Sequence, residues 1–394
     1  MFCKKLSILL ILFLSGQLYG QSLSDISFGT DSTFEVVSWN IEWFPKNGSV
    51  TIDSVSKIIE SLDADLLGLQ EIDDTTICRQ MINNLPDYEL FMDDDWFGGL
   101  AYVYKTSSVN IQSIYKIYDT SPYWNAFPRS PLVMELTFMG EEFIVINNHF
   151  KCCGDGLLDI GNSSDEEGRR HEANSLLKQY IDINFPSSRV IVLGDLNDIL
   201  TDENPNNVFQ MFLDDPTNYL FADETIASGS PADWSFPGWP SHLDHILITN
   251  ELFSEFSNSS SGIQTIKVDD FMSGGLADYD FYISDHRPVG MKIKVNPTTV
   301  NLLEVSNSDI EIFPNPTNKV FHVEMTLSES IDLQMQVLDI HGRIVYKESM
   351  NNLGGKVSKS IDLSDEPSGT YLLRFIHGEQ VKNKKIVLQN LNSN

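Results

Sequence analysis

Short apolar runs rich in β-branched residues recur along the first three-quarters of this chain, with helical periodicity in the gaps between them. Phe34-Glu35-Val36-Val37-Ser38-Trp39, Leu66-Leu67-Gly68-Leu69, Phe143-Ile144-Val145-Ile146, Val190-Ile191-Val192-Leu193, Ile246-Leu247-Ile248 and Val289-Gly290-Met291-Lys292-Ile293 read as strands. Ile52, Val55, Ile58, Ile59 and Leu62 fall on one helical face, and so do Ala173, Leu176, Leu177, Tyr180 and Ile181. Strands interleaved with amphipathic helices restrict the fold to the α/β class. The stretch 255–280, rich in Ser, Gly and Asp, reads as long loops. Beyond Pro297 the helical period disappears. Phe321-His322-Val323-Glu324-Met325 and Ile331 to Val337 alternate strictly, and His341-Gly342, Asn352 to Gly355 and Pro367-Ser368-Gly369 mark turns. This part predicts an all-β sandwich of about 80–90 residues, enough to fold alone.

With 394 residues, two domains are expected. Residues 1–20 read as a secretory signal peptide: Lys4 and Lys5 precede the apolar run Leu6 to Leu14, and small residues end at Gly20. That run falls short of the roughly 20 residues that span a bilayer, and no other run is long enough, so no integral membrane segment is expected in the mature chain. The expected organisation is a first domain over 21–297, a linker over 298–306 and the β-domain over 307–394. Cys78, Cys152 and Cys153 remain after the signal. An odd number leaves three options open: a vicinal Cys152–Cys153 bridge, a pairing of Cys78 with one of them, or three thiols. Zinc is disfavoured, because no second Cys/His pair has the required spacing.

The formal net charge is −30, and residues 21–297 hold 44 acidic against 15 basic side chains. Such a surface repels polyanions at long range and argues against tight non-specific DNA binding. Screening at physiological salt confines that repulsion to about 8 Å, so hydrolysis of DNA is not excluded.

The chemistry collects where the apolar runs stop. Trp39 leads into Asn40 and Glu42, Leu69 into Gln70-Glu71, and Ile146 into Asn147-Asn148-His149. Leu193-Gly194 leads into Asp195, Asn197 and Asp198, His242-Leu243 into Asp244-His245, and Ile283-Ser284 into Asp285-His286. Six segments thus end in carboxylates, amides and imidazoles, which neighbouring strands could gather at one rim. Hard oxygen donors suit Mg²⁺, Mn²⁺ or Ca²⁺. A His–Asp pair adds proton transfer near neutral pH, and water attack on a phosphodiester needs that combination. Each element alone is commonplace: an Asp-His is usually a surface pair, and Asn-x-Glu can be turn chemistry. His245 is expected to point away from Asp244 and serve structure. Arg169 and Arg170 are expected in surface ion pairs, and Trp234, Phe236 and Trp239 in core packing or loop stapling, with substrate stacking as the sharper alternative.

Taken together, Ser38-Trp39-Asn40-Ile41-Glu42, Leu69-Gln70-Glu71, Arg129-Ser130-Pro131-Leu132, Asn147-Asn148-His149-Phe150-Lys151, Gly194-Asp195-Leu196-Asn197, Leu243-Asp244-His245-Ile246 and Ser284-Asp285-His286-Arg287-Pro288 resemble the endonuclease/exonuclease/phosphatase superfamily over 34–295. That superfamily includes pancreatic-type deoxyribonuclease, abasic-site endonucleases and sphingomyelinases. The resemblance implies a four-layer α/β sandwich, two mixed β-sheets flanked by helices. By position it implies Glu71 as principal metal ligand with Asn40 and Asp285, and Glu42 as a further metal contact. It implies Asp195 for orienting or activating water, Asn197 on the scissile phosphate, His149 and His286 as acid, base or phosphate donors, and Asp244 as orienter of one histidine. Arg129 and Lys151 are candidates for substrate phosphate. Residues 307–390 resemble the type IX secretion sorting domain, through Ile312-Phe313-Pro314-Asn315-Pro316-Thr317, Val337 to Arg343, Ser368-Gly369-Thr370-Tyr371 and Lys384-Lys385-Ile386-Val387. That resemblance implies the type IX machinery as partner and a secreted or cell-surface location. The expected protein is a monomeric, divalent-metal-dependent phosphodiesterase acting on nucleic acid. A phosphodiesterase for phospholipid head groups or small phosphoesters, and a silent surface scaffold, are the competing readings.

Overall fold

The computed structural model describes residues 21–92, 99–295, 310–339, 343–377 and 380–389. The signal peptide expected at 1–20, the linker expected at 298–306 and the turn at His341-Gly342 lie outside these. Among the described residues, the chain divides into two compact units, 1–296 and 297–394. No described helix is long and apolar enough to cross a membrane.

In the first unit, β1 (Phe34–Phe44), β2 (Leu66–Ile72), β3 (Tyr88–Met92) and β4 (Gly99–Lys105) join two later strands in one sheet. A second sheet holds β5 (Val109–Lys116), β6 (Leu132–Phe138), β7 (Glu141–His149), β8 (Val190–Asp195), β9 (Tyr219–Phe221) and β10 (Asp244–Thr249). With β11 (Gly262–Thr265) and β12 (Val289–Ile293), the first sheet runs β11-β12-β1-β2-β4-β3, and the second runs β5-β6-β7-β8-β10-β9. Both are mixed: β1–β2 and β7–β8 pair parallel, while β1–β12 and β8–β10 pair antiparallel.

The sheets stack face to face, and β1 shows why. Phe34 and Val36 enter the core between the sheets with Tyr102, Phe143 and Leu193. Val37, Trp39 and Ile41 point the other way, into a core against α1 (Ser49–Leu62) and α2 (Thr75–Ile82). A strand apolar on both faces can only lie in the middle. The outer face of the second sheet packs on α3 (Glu166–Asn184) through Ala173, Leu177 and Ile181. The layers are therefore helix, sheet, sheet, helix, the expected four-layer sandwich. Polar bonds also cross between the sheets. Asn147 Nδ2 on β7 donates to the carbonyls of Leu69 (3.1 Å) and Ala101 (3.0 Å), and Gln70 donates to Asn147 Oδ1 (2.8 Å).

The stretch read as long loops is more ordered than expected. Within 255–280 the chain forms β11, the 3₁₀ turn Val268–Phe271 and the start of a helix, Leu276–Tyr282. Tyr279 is the residue that explains it. Fully buried, it accepts from the Trp39 indole (3.1 Å) and donates to the His286 carbonyl (2.5 Å).

The second unit is all-β, with β13 (Glu311–Phe313), β14 (Val320–Leu338), β15 (Ile344–Asp362), β16 (Gly369–His377) and β17 (Gln380–Leu388). They form one antiparallel sheet that curls into a half-barrel around Phe321, Val323, Met335, Leu373 and Ile386. Register shifts between Leu327 and Ile331 let the long β14–β15 pair bend.

Candidate active site

The polar residues meet at one rim of the two sheets. β1, β2, β7 and β8 run toward it and β10 and β12 run away from it. Asp244 therefore opens β10 and Asp285-His286 precede β12 instead of ending strands, which corrects the expectation that all six segments end there. Antiparallel pairing brings those starts to the ends of the others. Register does the rest: Asp195 pairs across β8 with His149 on one side and with Asp244 on the other. Asn40 pairs with Gln70, next to Glu71.

Several backbones bend here into the left-handed region that non-glycine residues avoid. Glu42 has φ 38°, Trp43 49°, Glu71 61° and Asn197 54°. Such conformations cost about 1–3 kcal/mol each and cluster where side chains must be re-aimed. Gly194 has φ 146°, and a Cβ there would lie 2.0 Å from the Asn148 carbonyl oxygen on β7. Only glycine lets β7 and β8 close up beside Asp195.

The side chains converge. Asn40 Nδ2 donates to Asp195 Oδ2 (3.0 Å) and Glu71 Oε1 (3.2 Å), tying the two sheets together. His149 Nε2 lies 3.6 Å from Asp195 Oδ2 and 3.7 Å from Glu71 Oε1. His286 Nε2 is 3.7 Å from the same Asp195 oxygen, while its Nδ1 bonds Asp244 Oδ2 at 2.7 Å. Asp285 Oδ1 is 3.9 Å from His286 Nε2. Glu42 stands one step behind, accepting the Asp285 amide (2.8 Å) and pairing with Lys46. Asn197 donates its backbone N–H to Asp195 Oδ1 (3.1 Å). Arg129 is half-buried beside Glu71 and Asp195: burial lowers its pKa, and those two carboxylates offset part of the loss. Lys151 turns to its own loop, donating to the Cys152 carbonyl (2.8 Å) and lying 3.9 Å from Glu166.

Proton affinities separate sharply. Burial raises Asp195 to about 6, with Asp244 and Glu71 adding to it against His286 and Asn40. Burial also lifts Asp285 to about 7, helped by Glu42 and Glu71. Burial disfavours charge on His286, but Asp244 and Asp195 outweigh it and hold the imidazolium to about 10. His149 is pushed well below 6.5 by burial, then by Arg129 and His286. At neutral pH one histidine is cationic and the other neutral. Among the described buried atoms at the site without a hydrogen-bond partner are His149 Nδ1 and Asp244 Oδ1.

Some residues behave differently from expectation. Arg170 is buried, not a surface ion pair. Its Nε bonds Asp198 (2.7 Å) and its Nη1 holds the carbonyls of Lys151 (2.8 Å) and Cys153 (2.7 Å). His245 points away from the rim, as expected, and bonds Asp223 (2.6 Å) and the Asp198 carbonyl (3.0 Å). The three aromatics part company. Trp234 donates to the Ile226 carbonyl (3.0 Å), Phe236 rests on the His286 ring with centroids 4.8 Å apart, and Trp239 is 80% exposed. The reading of all three as core or staple fails for Trp239. Sequence reasoning missed Asp223 and the Arg287–Asp269 pair (2.8 and 2.5 Å), which locks the residue after His286. The three described cysteines carry free thiols; Cys78 is buried, and the sulfurs of Cys152 and Cys153 lie 3.0 Å apart.

Residues 37–286 match the profile of the Endonuclease/Exonuclease/phosphatase family. The chain belongs to that family. Its members are phosphoric ester hydrolases, and the rim just described lies within the matched span. Residues 311–389 match the secretion system C-terminal sorting domain, which marks the chain for type IX export. Among solved structures, TDP2 of D. rerio complexed with a single-strand DNA product is similar, with a TM-score of 0.51 and 14% identity over 67% of this chain and 100% of that one. A D. rerio TDP2 humanized by 14 mutations gives 0.50 and 15% over 67% of this chain and 99% of that one. At these identities the likeness concerns the fold alone. No curated protein matches the chain.

Proposed function

We propose that this endonuclease/exonuclease/phosphatase-family chain is an exported, divalent-metal-dependent nuclease for DNA or RNA. One observation carries the reading. A single Asp195 oxygen sits 3.6 Å from a neutral imidazole and 3.7 Å from a cationic one, with Glu71 alongside. Pairs of titratable groups driven apart in proton affinity are how one pocket holds both an acceptor and a donor.

The donor set fits a cation. Glu42, Glu71, Asp195 and Asp285 crowd the rim, and burial, with repulsion from neighbouring carboxylates added, holds Asp195 and Asp285 above the usual carboxylate range. Family members generally use a divalent metal. Glu71 and Asp285 would hold it, with Glu42 positioning Asp285 and Asn40 positioning Glu71 through its Nδ2 while its oxygen accepts the Glu42 amide (3.0 Å). All-oxygen ligation suits Mg²⁺, Mn²⁺ or Ca²⁺. Such an ion polarises a phosphoryl oxygen and neutralises charge as the transition state forms.

The remaining steps belong to the chain. Asp195, ionised above about pH 6, takes the proton of the attacking water. As the water oxygen bonds phosphorus, the P–O bond to the leaving alcohol breaks, and His286, kept charged by Asp244, is the histidine with a proton to give the departing oxygen at neutral pH. His149, neutral, contributes a hydrogen bond. Asn197 reaches the scissile phosphate, and Arg129 and Lys151 bind flanking phosphates.

The excess of acid on this domain favours small phosphoesters or phospholipid head groups instead. Exposed aromatics favour nucleic acid: Trp43 (48% exposed) follows Glu42, Trp239 (80%) lies on the loop of Phe236, which contacts His286, and Phe281 (60%) lies in the helix that leads into Asp285. Bases stack on such rings for about 1–3 kcal/mol each. The test is turnover of plasmid DNA, RNA, sphingomyelin and a generic phosphodiester, with and without chelator. Nucleic-acid cleavage abolished by chelator is expected, and Trp239→Ala should raise KM for DNA by about 5-fold or more while leaving the small diester unaffected. Activity on lipid alone removes the nuclease claim, and no turnover on any substrate supports the silent scaffold.

A further inference from the structure

Between β7 and α3, residues 151–165 run without strand or helix. Irregular segments of this length inside a compact unit need something to hold them. This one wraps around carboxylates. Asp155 Oδ1 accepts the Leu157 amide (3.0 Å), and Asp165 Oδ2 accepts those of Asp159 (3.1 Å) and Gly168 (2.7 Å). Glu167 Oε1 accepts the Gly156 amide (2.7 Å). Each carboxylate spends one oxygen on the backbone and keeps the other.

Ligand oxygens of Asp155, Asp165 and Glu167 lie within 4.8 Å of one another. Glu167 is 3% exposed, and its Oε2 is buried without a hydrogen-bond partner. Arg170 Nη2 pairs with Glu167 Oε1 at 3.2 Å while its Nε bonds Asp198 and its Nη1 two carbonyls, so the pairing reaches Oε1 and leaves Oε2 without a partner. One positive charge is thus shared between two buried carboxylates. Leaving a carboxylate oxygen buried and unsatisfied costs several kcal/mol unless a ligand completes it.

We propose that this loop binds a Ca²⁺ ion through Asp155, Asp165 and Glu167, at a site separate from the catalytic rim. Calcium accepts irregular oxygen cages with backbone carbonyls among the ligands, whereas Mg²⁺ demands a near-ideal octahedron. The site pins the segment that follows His149 and carries Lys151, so its occupancy tightens the wall of the pocket without entering the chemistry.

The experiment is calorimetric Ca²⁺ titration of the chelator-treated chain in two backgrounds, unaltered and Glu71→Gln, with thermal melting as a second readout. Asp155→Asn combined with Asp165→Asn is expected to lower the stoichiometry by one ion in both backgrounds and to remove the Ca²⁺-dependent rise in Tm from Glu71→Gln. The expected affinity is that of extracellular calcium modules, a Kd of about 10⁻⁴ to 10⁻³ M. Because Asp165 caps α3, the exposed Asp155→Asn alone serves as control: it keeps the cap and should still weaken binding at least about 10-fold. Unchanged stoichiometry in the double variant, or no Ca²⁺ bound by Glu71→Gln, overturns the proposal.

Discussion

Glu71→Ala should lower kcat/KM for a phosphodiester by at least about 10²-fold and leave the residual rate insensitive to chelator. Glu71 occupies a left-handed kink at the end of β2 that aims it between the sheets, next to Asn40 and His149. Strained conformations of this kind cluster at functional sites, and that is the ground for the prediction. The same account fixes the pH dependence of metal binding. Asp195 and Asp285 keep protons up to about 6 and about 7 in the metal-free chain. At pH 5 a cation must displace the Asp285 proton and meets a neutral Asp195 beside it, and at pH 8 neither holds. Affinity should therefore rise between pH 5 and 8 and level off above. Flat affinity over that range would separate these carboxylates from the metal.

The second large effect concerns the His286–Asp244 pair. His286→Ala should reduce the rate by at least about 10²-fold, and Asp244→Asn should come close to it, because the amide cannot hold the imidazolium. Asp244→Asn should also lower the His286 pKa from about 10, read by NMR of the imidazole. The sign for stability follows. A histidine raised in the folded state stabilises fully below its unfolded value near 6.5, and that contribution is lost as pH rises through 10. The stability gap between the parent chain and Asp244→Asn should therefore be widest near pH 6 and narrow toward pH 10 in urea unfolding. A gap independent of pH would mean that the pair is not charged.

Much of the site was legible because each chemical residue follows or precedes a run buried on both faces. Trp39, Leu69, Ile146 and Leu193 are such markers, and a two-sided apolar strand leaves little doubt about where it stops. The direction of the strand was not legible. Asp244 and His286 had to be at strand starts, since β10 and β12 run antiparallel to their partners, and pairing direction is a tertiary fact. Edge strands escaped for a different reason. In β5 the consecutive Gln112 and Ser113 break the alternation at a register shift on a half-exposed edge, and the three residues of β9 are too few for any period. Arg170 was misplaced because its partners, Asp198 and two carbonyls, come from loops distant in sequence. A guanidinium buried by such partners looks in sequence like any helical surface arginine. Trp239 reversed the bland reading for want of a neighbour: the Phe236–Ser241 bridge carries it out into solvent at the tip of a tight loop.

The central claim is that Asp195 and His286 act on one phosphate as a unit. The rate on a generic phosphodiester at pH 7, with Mg²⁺, should be measured for Asp195→Asn, His286→Ala and the double variant. Residues acting together are strongly non-additive. The account predicts that the double variant is about as slow as the slower single. Losses that multiply would show two residues working independently, and the shared pocket argued from their 3.7 Å approach would be wrong.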